Sequence, residues 1–272
     1  MELLLKREEL KYYNQDVFAS AAVRTLFSIS QQKEDEKKFS NLFETRDLLK
    51  SQQPHNIVLH NATTHFLLGL SKKQLKEESK EKYESTIKSL KETNKAVAQT
   101  GAKRIKTGSN IFISSFNNQL VSILLNAAKY KQFTVFAVND EKDKVYSNLS
   151  KKLKSHNINI VEIDWHSLNK VLKKTDLCLI GGEVLTKEKG VFVSKGGRMV
   201  AETSEKNNVP VYVCLHTWKY DHKNSTRNHF IEEKNHEYIS KNLINSYICE
   251  HGIFKPEQIV QEAKSHNKKL FT

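Results

Sequence analysis

The spacing of the hydrophobic residues along the chain changes near residue 105. Before that point apolar residues recur at helical spacing, and Pro54 interrupts the pattern. The predicted helical segments are 16–29, 38–50, 60–70 and 72–105. We therefore expect a helical N-terminal domain over residues 1–105.

The second half alternates short apolar runs with amphipathic segments, the pattern of a parallel sheet covered by helices. Strands are predicted at 110–114, 133–138, 159–163, 177–180 and 211–213, and helices at 118–130, 147–156, 168–173 and 198–206. Residues 242–265 predict a strand or helix, a glycine turn and a last helix that begins near Pro256. The predicted fold class is α/β, with a Rossmann-like, doubly wound parallel sheet over residues 106–272.

The segment after the fourth predicted strand contains the candidate ligand-binding residues. In doubly wound sheets, ligands bind beyond the carboxyl ends of the strands. Gly182 and Glu183 follow this strand, and Gly196 and Gly197 precede the next predicted helix. The amino end of that helix could bind a phosphate, with Lys195 supplying positive charge.

Each candidate also has a plain structural interpretation, and both alternatives stay open. Gly196 and Gly197 allow a tight loop before a helix. Glu183 can be a solvated turn residue. Ser115, which follows the first predicted strand, can act as a nucleophile or a ligand donor, but its hydroxyl more commonly bonds the local backbone.

The chain carries a formal net charge of +13, which would suit contact with a polyanion. Its lysines, however, alternate with acidic residues, as in residues 72–92, which favours solvated helix faces over a nucleic-acid site. No signature with stacking aromatic residues is present. We therefore predict no direct nucleic-acid site.

The cysteines indicate a reduced protein without a metal centre. Cys178, Cys214 and Cys249 are far apart and each lies in an apolar context, so we expect reduced core residues, no metal site and no cofactor. No stretch approaches the roughly 20 apolar residues that span a bilayer, and the first residues lack the apolar core of a signal peptide. The expected location is cytoplasmic, without membrane contact.

Four blocks of the second half resemble a known family. They are AVAQTGAKRIKTGSNIFISSF (96–116), LCLIGGEVL (177–185), GVFVSKGGRMVAETSEKNNVPVYVCLHTWKYD (190–221) and ICEHGIFKPEQI (248–259). The chain resembles the family that unites the alpha, beta and delta regulatory subunits of translation initiation factor 2B with isomerases acting on methylthioribose-1-phosphate and ribose-1,5-bisphosphate. The resemblance implies a helical N-terminal domain, a Rossmann-like C-terminal domain and dimerisation through the latter.

Positions that carry catalysis in the isomerases of this family differ in this chain. The resemblance places a cysteine at the position of Ser115 and an aspartate at that of Glu183. Moving protons between adjacent sugar carbons needs a thiol and a carboxyl group of matched pKa. A serine without a base is a poor proton carrier, and the longer glutamate displaces the carboxylate. Both positions are therefore interpreted as degenerate.

Phosphate-binding positions differ as well. Glu141 stands where the resemblance implies an arginine, which reverses the charge, and Gln53 stands where a second arginine is implied before Pro54. The asparagine-lysine of the family's glycine loop aligns with Val193 and Ser194, one residue before Lys195. These differences argue against membership of the isomerase branch.

Other residues resemble the initiation-factor branch, the alpha subunit most. These are Glu183 after the double glycine and the run Thr217-Trp218-Lys219. The resemblance implies a non-catalytic regulatory subunit that assembles with sister subunits, supports nucleotide exchange on initiation factor 2 and senses its phosphorylated form. The alternatives are a sugar-phosphate isomerase of either type, and an orphan homodimer that binds a sugar phosphate or a nucleotide.

Dimerisation through residues 106–272 has a second argument in the sequence. Four large aromatic residues lie at or just beyond predicted strands and turns, namely Trp218, Tyr220, Tyr247 and Phe254. Such rings are enriched at interfaces. We therefore expect a homodimer or heterodimer through the C-terminal domain.

Overall fold

A computed structural model of the chain describes residues 15–33, 37–115, 117–138, 144–232, 235–266 and 268–271. The described residues divide into two compact units. The first contains those up to Glu92 together with the last short helix, and the second those of Thr93–Asn267. The domain limits predicted above, 1–105 and 106–272, remain a proposal.

Helices form the first unit. They are α1 (Gln15–Ser30), α2 (Lys38–Gln52), α3 (Ile57–Leu67), the part of α4 (Leu75–Arg104) up to Glu92, and the terminal α11 (Lys268–Phe271). α1 packs on α2 and α3, and its residues Ala19, Ala22 and Leu26 are buried at helical spacing. α3 begins earlier than predicted because the Asn56 side chain caps it, accepting a hydrogen bond from the Leu59 amide at 2.9 Å.

The second unit is a sheet with helices along the chain between its strands. The strands are β1 (Asn110–Ile113), β2 (Thr134–Val138), β3 (Asn159–Ile163), β4 (Leu177–Leu185), β5 (Val191–Ser194), β6 (Val211–Cys214), β7 (His236–Ile239), β8 (Ser246–Cys249) and β9 (Gly252–Phe254). The helices are α5 (Asn118–Ala128), α6 (Lys144–Lys154), α7 (Leu168–Leu172), α8 (Gly197–Lys206), α9 (Arg227–Glu232) and α10 (Pro256–His266).

The sheet has the order β3-β2-β1-β4-β6-β8-β9, parallel except for β9. This is a doubly wound arrangement whose order reverses between β1 and β4. Its core is built from the apolar positions of the predicted strands, such as Ile113, Val135 and Leu179, packed with Leu120 and Leu124 of α5. The predicted fold class, with a helical N-terminal region and a mainly parallel sheet, is confirmed.

The prediction that the fourth strand ends at the double glycine is wrong. β4 continues through both glycines to Leu185, and its last residues pair antiparallel with β5, which in turn pairs with β7. Gly182 is required by close packing rather than by a turn, because a Cβ atom there would lie 2.8 Å from Leu215 Cδ2. The predicted glycine-rich loop therefore contains a strand, β5.

Three of the four aromatic residues assigned to an interface belong to the core of the chain. Trp218 is 2% exposed, and Tyr220 and Tyr247 are fully buried. The Tyr247 hydroxyl donates a hydrogen bond to the Lys189 carbonyl at 2.8 Å. Phe254 on the edge strand β9 is partly exposed. These rings face other parts of the same chain, so the aromatic argument for dimerisation is wrong.

Within the described residues, no helix is both long and apolar enough to cross a membrane.

Val213 gives a direct test of the sheet assignment, since it is fully buried on β6 between β4 and β8. Val213→Asp is expected to lower the free energy of unfolding by about 3 kcal/mol or more, because it buries an unpaired charge. The matched control is Val161→Asp on the edge strand β3, where the side chain is 37% exposed; it should cost about 1 kcal/mol or less. Equal effects in urea unfolding would contradict the burial of β6.

Candidate functional site

The candidate site lies at the carboxyl edge of the parallel sheet, where the strand order reverses. β1 and β4 are neighbours there, and the chain leaves this pair towards β2 and β3 on one side and towards β6 and β8 on the other. Polar residues follow each of the central strands: Ser115 after β1, Glu183 in the second part of β4, Thr217 after β6 and Glu250 after β8. This is where ligands bind in such sheets.

Ser115 and Asn117 hold buried polar groups at the amino end of α5. The Asn117 carbonyl oxygen caps α5, accepting from the Leu120 amide at 2.9 Å. Ser115 Oγ and Asn117 Nδ2 are both buried, and neither has a hydrogen-bond partner among the residues that the structure describes. A buried polar atom without a partner is costly. Together with the positive end of the α5 dipole, these groups can receive a polar or anionic ligand.

Gly181 brings Asn117 against the centre of the sheet. A Cβ atom at Gly181 would lie only 1.7 Å from Asn117 Nδ2. The side chain of the α5 cap therefore rests directly on the backbone of β4. The first glycine of the pair is needed for this contact, which the sequence pattern did not predict.

Glu183 is held by a buried lysine. The Lys219 ammonium group donates a hydrogen bond to the Gly182 carbonyl at 2.7 Å and lies 3.5 Å from the Glu183 carboxylate. The Lys219 side chain is 6% exposed and that of Glu183 17%. Because both groups are largely removed from water, their attraction is weakly screened. The Glu183 carboxylate is thus paired with a cation of the same chain.

Glu250 in turn positions the segment that carries Lys219. The Thr217 amide donates to both oxygens of the Glu250 carboxylate at 3.1 Å, and the Thr217 hydroxyl donates to Glu250 Oε1. Thr217–Lys219 form a short 3-10 helix after β6. Thr217 and Lys219 were expected only as part of a family run, and Glu250 was not predicted as a site residue. The position of Glu250 in the family block 248–259 was the sequence feature that could have indicated its role.

The amino end of α8, where a phosphate was predicted to bind, contacts a carboxylate of the same chain. The amides of Gly196 and Arg198 donate to Glu237 Oε2 at 3.0 and 3.1 Å. Gly196 has a φ of +88°, and Gly197 begins the helix. Lys195 is exposed, and its amide donates to the Asn235 carbonyl. A phosphate at this position would have to displace the Glu237 carboxylate from these amides. Phosphate binding here stays a prediction.

The cysteines lie on central strands of the sheet, Cys178 near the start of β4 and Cys214 and Cys249 at the last positions of β6 and β8. Cys178, Cys214 and Cys249 are all free and buried on β4, β6 and β8. Burial raises the pKa of the Cys178 and Cys249 thiols to about 12 and also raises the pKa of Cys214. These thiols are therefore protonated at neutral pH and unsuited to acid–base work. Glu141, where a phosphate-binding arginine was implied, lies outside the described residues.

A doubly wound sheet with polar groups at its reversal point defines the Rossmann-like class of α/β protein. A model of the initiation factor 2 subunit family matches residues 15–241, which is most of the chain. The chain belongs to this family, and the suspected resemblance is confirmed.

Similar proteins come from both branches of the family. A putative translation initiation factor eIF-2B subunit 2-like protein of Pyrococcus furiosus is 30% identical over 142 residues, 52% of this chain and 51% of that protein. The ribose 1,5-bisphosphate isomerase of Methanocaldococcus jannaschii is 24% identical over 192 residues, 70% of this chain and 62% of that enzyme. The chain thus spans less than two thirds of the length of either relative.

A solved structure supports the fold over nearly the whole chain. A subunit in the tetrameric eIF2B-beta2-delta2 complex of C. thermophilum superposes with a TM-score of 0.80 at 18% identity, covering 97% of this chain and 92% of that one. At this identity the match establishes the architecture alone.

A double-mutant cycle tests the contact between Gly181 and Asn117. Gly181→Ala should lower the free energy of unfolding by about 1–3 kcal/mol, because the new methyl group displaces the α5 cap. Asn117→Ala alone should cost about 1 kcal/mol through loss of the cap.

In the Asn117→Ala background the space beside Gly181 is open, so adding Gly181→Ala should cost much less than it does alone. Urea denaturation of the four proteins gives the coupling. Strictly additive effects would contradict the contact.

Proposed function

We propose that the chain is a non-catalytic regulatory subunit of a translation initiation factor 2B assembly, most similar to the alpha subunit. In this role it binds sister subunits and supports guanine-nucleotide exchange on initiation factor 2. The observation that carries the proposal is the buried pairing of Glu183 with Lys219, in a site where Ser115 replaces a thiol.

This arrangement argues against proton transfer between sugar carbons. Such a reaction needs a base and an acid poised beside the substrate. The Glu183 carboxylate lies 3.5 Å from the Lys219 ammonium, so a cation of the same chain already engages it. The Ser115 hydroxyl has no hydrogen-bonded base among the described residues, and the three cysteines are buried, which raises the pKa of their thiols. A site built this way supports binding or structure better than turnover.

Assembly with sister subunits is supported by the family and by the fold. The chain has the architecture of a subunit from a solved complex of eIF2B beta and delta. The net charge of +13 suits an acidic or phosphorylated partner. Dimerisation through the C-terminal domain remains part of the proposal on the resemblance alone, since the aromatic rings first assigned to the interface are buried.

A second candidate function is a sugar-phosphate or nucleotide site, with or without isomerase activity. Ser115 Oγ and Asn117 Nδ2, buried at the amino end of α5, favour a polar ligand there. A relative named ribose 1,5-bisphosphate isomerase gives this candidate further support. A bound sugar phosphate is also compatible with a regulatory subunit, because binding requires no acid–base pair.

The purified chain is expected to show no turnover of ribose-1,5-bisphosphate or methylthioribose-1-phosphate. The assay should include Glu183→Gln, which removes the carboxylate while keeping the size of the side chain. Turnover of about 1 per second or more that is lost in Glu183→Gln would overturn the non-catalytic proposal and favour the isomerase.

The assembly itself is tested by affinity purification of the tagged chain from its native cells, followed by mass spectrometry. We expect sister subunits of initiation factor 2B and initiation factor 2 in the eluate. The Val213→Asp variant provides a matched control with a disrupted sheet and should lose these partners. Recovery of the native chain alone, as a homodimer, would contradict the proposal and favour the orphan sugar-phosphate or nucleotide-binding protein.

A further inference from the structure

Two histidines and a glutamate meet at the end of α10, beside Glu250 of the candidate site. His251 lies in the turn between β8 and β9, and Glu262 and His266 are one turn apart on α10. One potential ligand atom from each residue lies within 4.8 Å of the others. The two imidazole rings are stacked, with centroids 3.5 Å apart. Residues far apart in sequence thus present three metal-binding groups at one place.

We infer that His251, Glu262 and His266 form a binding site for a divalent transition-metal cation, with Zn²⁺ as the representative ion. Two imidazoles and one carboxylate form a known ligand set of zinc sites that keep an open position. Imidazole nitrogens favour Zn²⁺, Co²⁺ and Ni²⁺ over Mg²⁺ and Ca²⁺, which prefer oxygen ligands.

The geometry is close to what a cation requires. Bonds of about 2.1 Å in a tetrahedral site place the ligand atoms about 3.4 Å apart. His266 Nδ1 and Glu262 Oε1 are already 3.1 Å apart. The other distances between ligand atoms are at most 4.8 Å, so they must shorten by up to about 1.4 Å. Rotation of the partly exposed His251 side chain can supply this movement.

A second carboxylate stands behind the cluster and is an independent observation in favour of a metal site. Glu250 Oε1 lies 3.7 Å from His251 Nε2, and the Glu250 side chain is only 6% exposed. Metal-bound histidines commonly direct their other ring nitrogen towards a carboxylate, which orients the ring. Glu250 also holds the Thr217 amide. A cation at this site would therefore brace the turn that positions the Lys219 segment.

The experiment uses the full chain after chelation and dialysis, titrated with ZnCl₂ by calorimetry and with CoCl₂ by visible absorption. We expect one equivalent to bind with a dissociation constant in the micromolar range and to raise the melting temperature. His251→Ala, His266→Ala and Glu262→Gln should each weaken binding at least about tenfold. His156→Ala is the matched control, because His156 is exposed and bonds only within its own segment.

Each alternative outcome has a distinct signature. Circular dichroism should show that the variants keep the native fold, as expected for partly exposed side chains. Binding that is unchanged in all three variants, or a thiolate-to-cobalt charge-transfer band, would overturn the site and implicate other ligands. Absence of saturable binding at cation concentrations up to about 100 times a micromolar dissociation constant would overturn the site as well. The 3.1 Å contact between His266 and Glu262 would then be an ordinary i,i+4 pair.

Discussion

The hydrogen bond from the buried Lys219 ammonium to the Gly182 carbonyl is the interaction on which the site depends. β4 changes partner at this point, from parallel neighbours in the main sheet to antiparallel pairing with β5, and the register shifts between Gly182 and Val184. A backbone carbonyl at such a bulge needs a donor from elsewhere. Lys219 supplies it, and the adjacent Glu183 carboxylate offsets the cost of burying the charge.

The same contacts that complete the fold also engage Glu183, the residue at which the resemblance to the isomerases implies a catalytic carboxylate. Glu250 fixes Thr217 and with it the short helix that ends at Lys219. The carboxylates of Glu183 and Glu250 on this edge of the sheet are thus engaged in organising the chain, which fits the proposed subunit that binds partners or ligands.

The amino ends of α8 and α5 differ in whether the chain itself supplies a hydrogen-bond partner. At α8 the amides of Gly196 and Arg198 already bind the Glu237 carboxylate. At α5, neither Nδ2 of the Asn117 cap nor Ser115 Oγ has a hydrogen-bond partner within the described part of the chain. An anionic ligand therefore competes with a strong internal acceptor at α8, whereas at α5 it would satisfy buried donors. The amino end of α5 is therefore the better candidate for an anion site, although the sequence predicted that site at the glycines before α8.

The sequence by itself determined the fold class, because helical and alternating hydrophobic patterns are local and persist over many residues. Local patterns also placed β1, β2, β3, β6 and α10. The sequence could not show that β4 runs through its glycines, since the reason is a close approach to Leu215 and Asn117, which are distant in sequence. It also misplaced Trp218, Tyr220 and Tyr247, because whether a ring faces solvent or another strand is decided by packing. Only the tertiary structure brought Lys219 to Gly182 and His251 to His266, since side chains far apart in the chain become neighbours only when the strands and helices that carry them are packed.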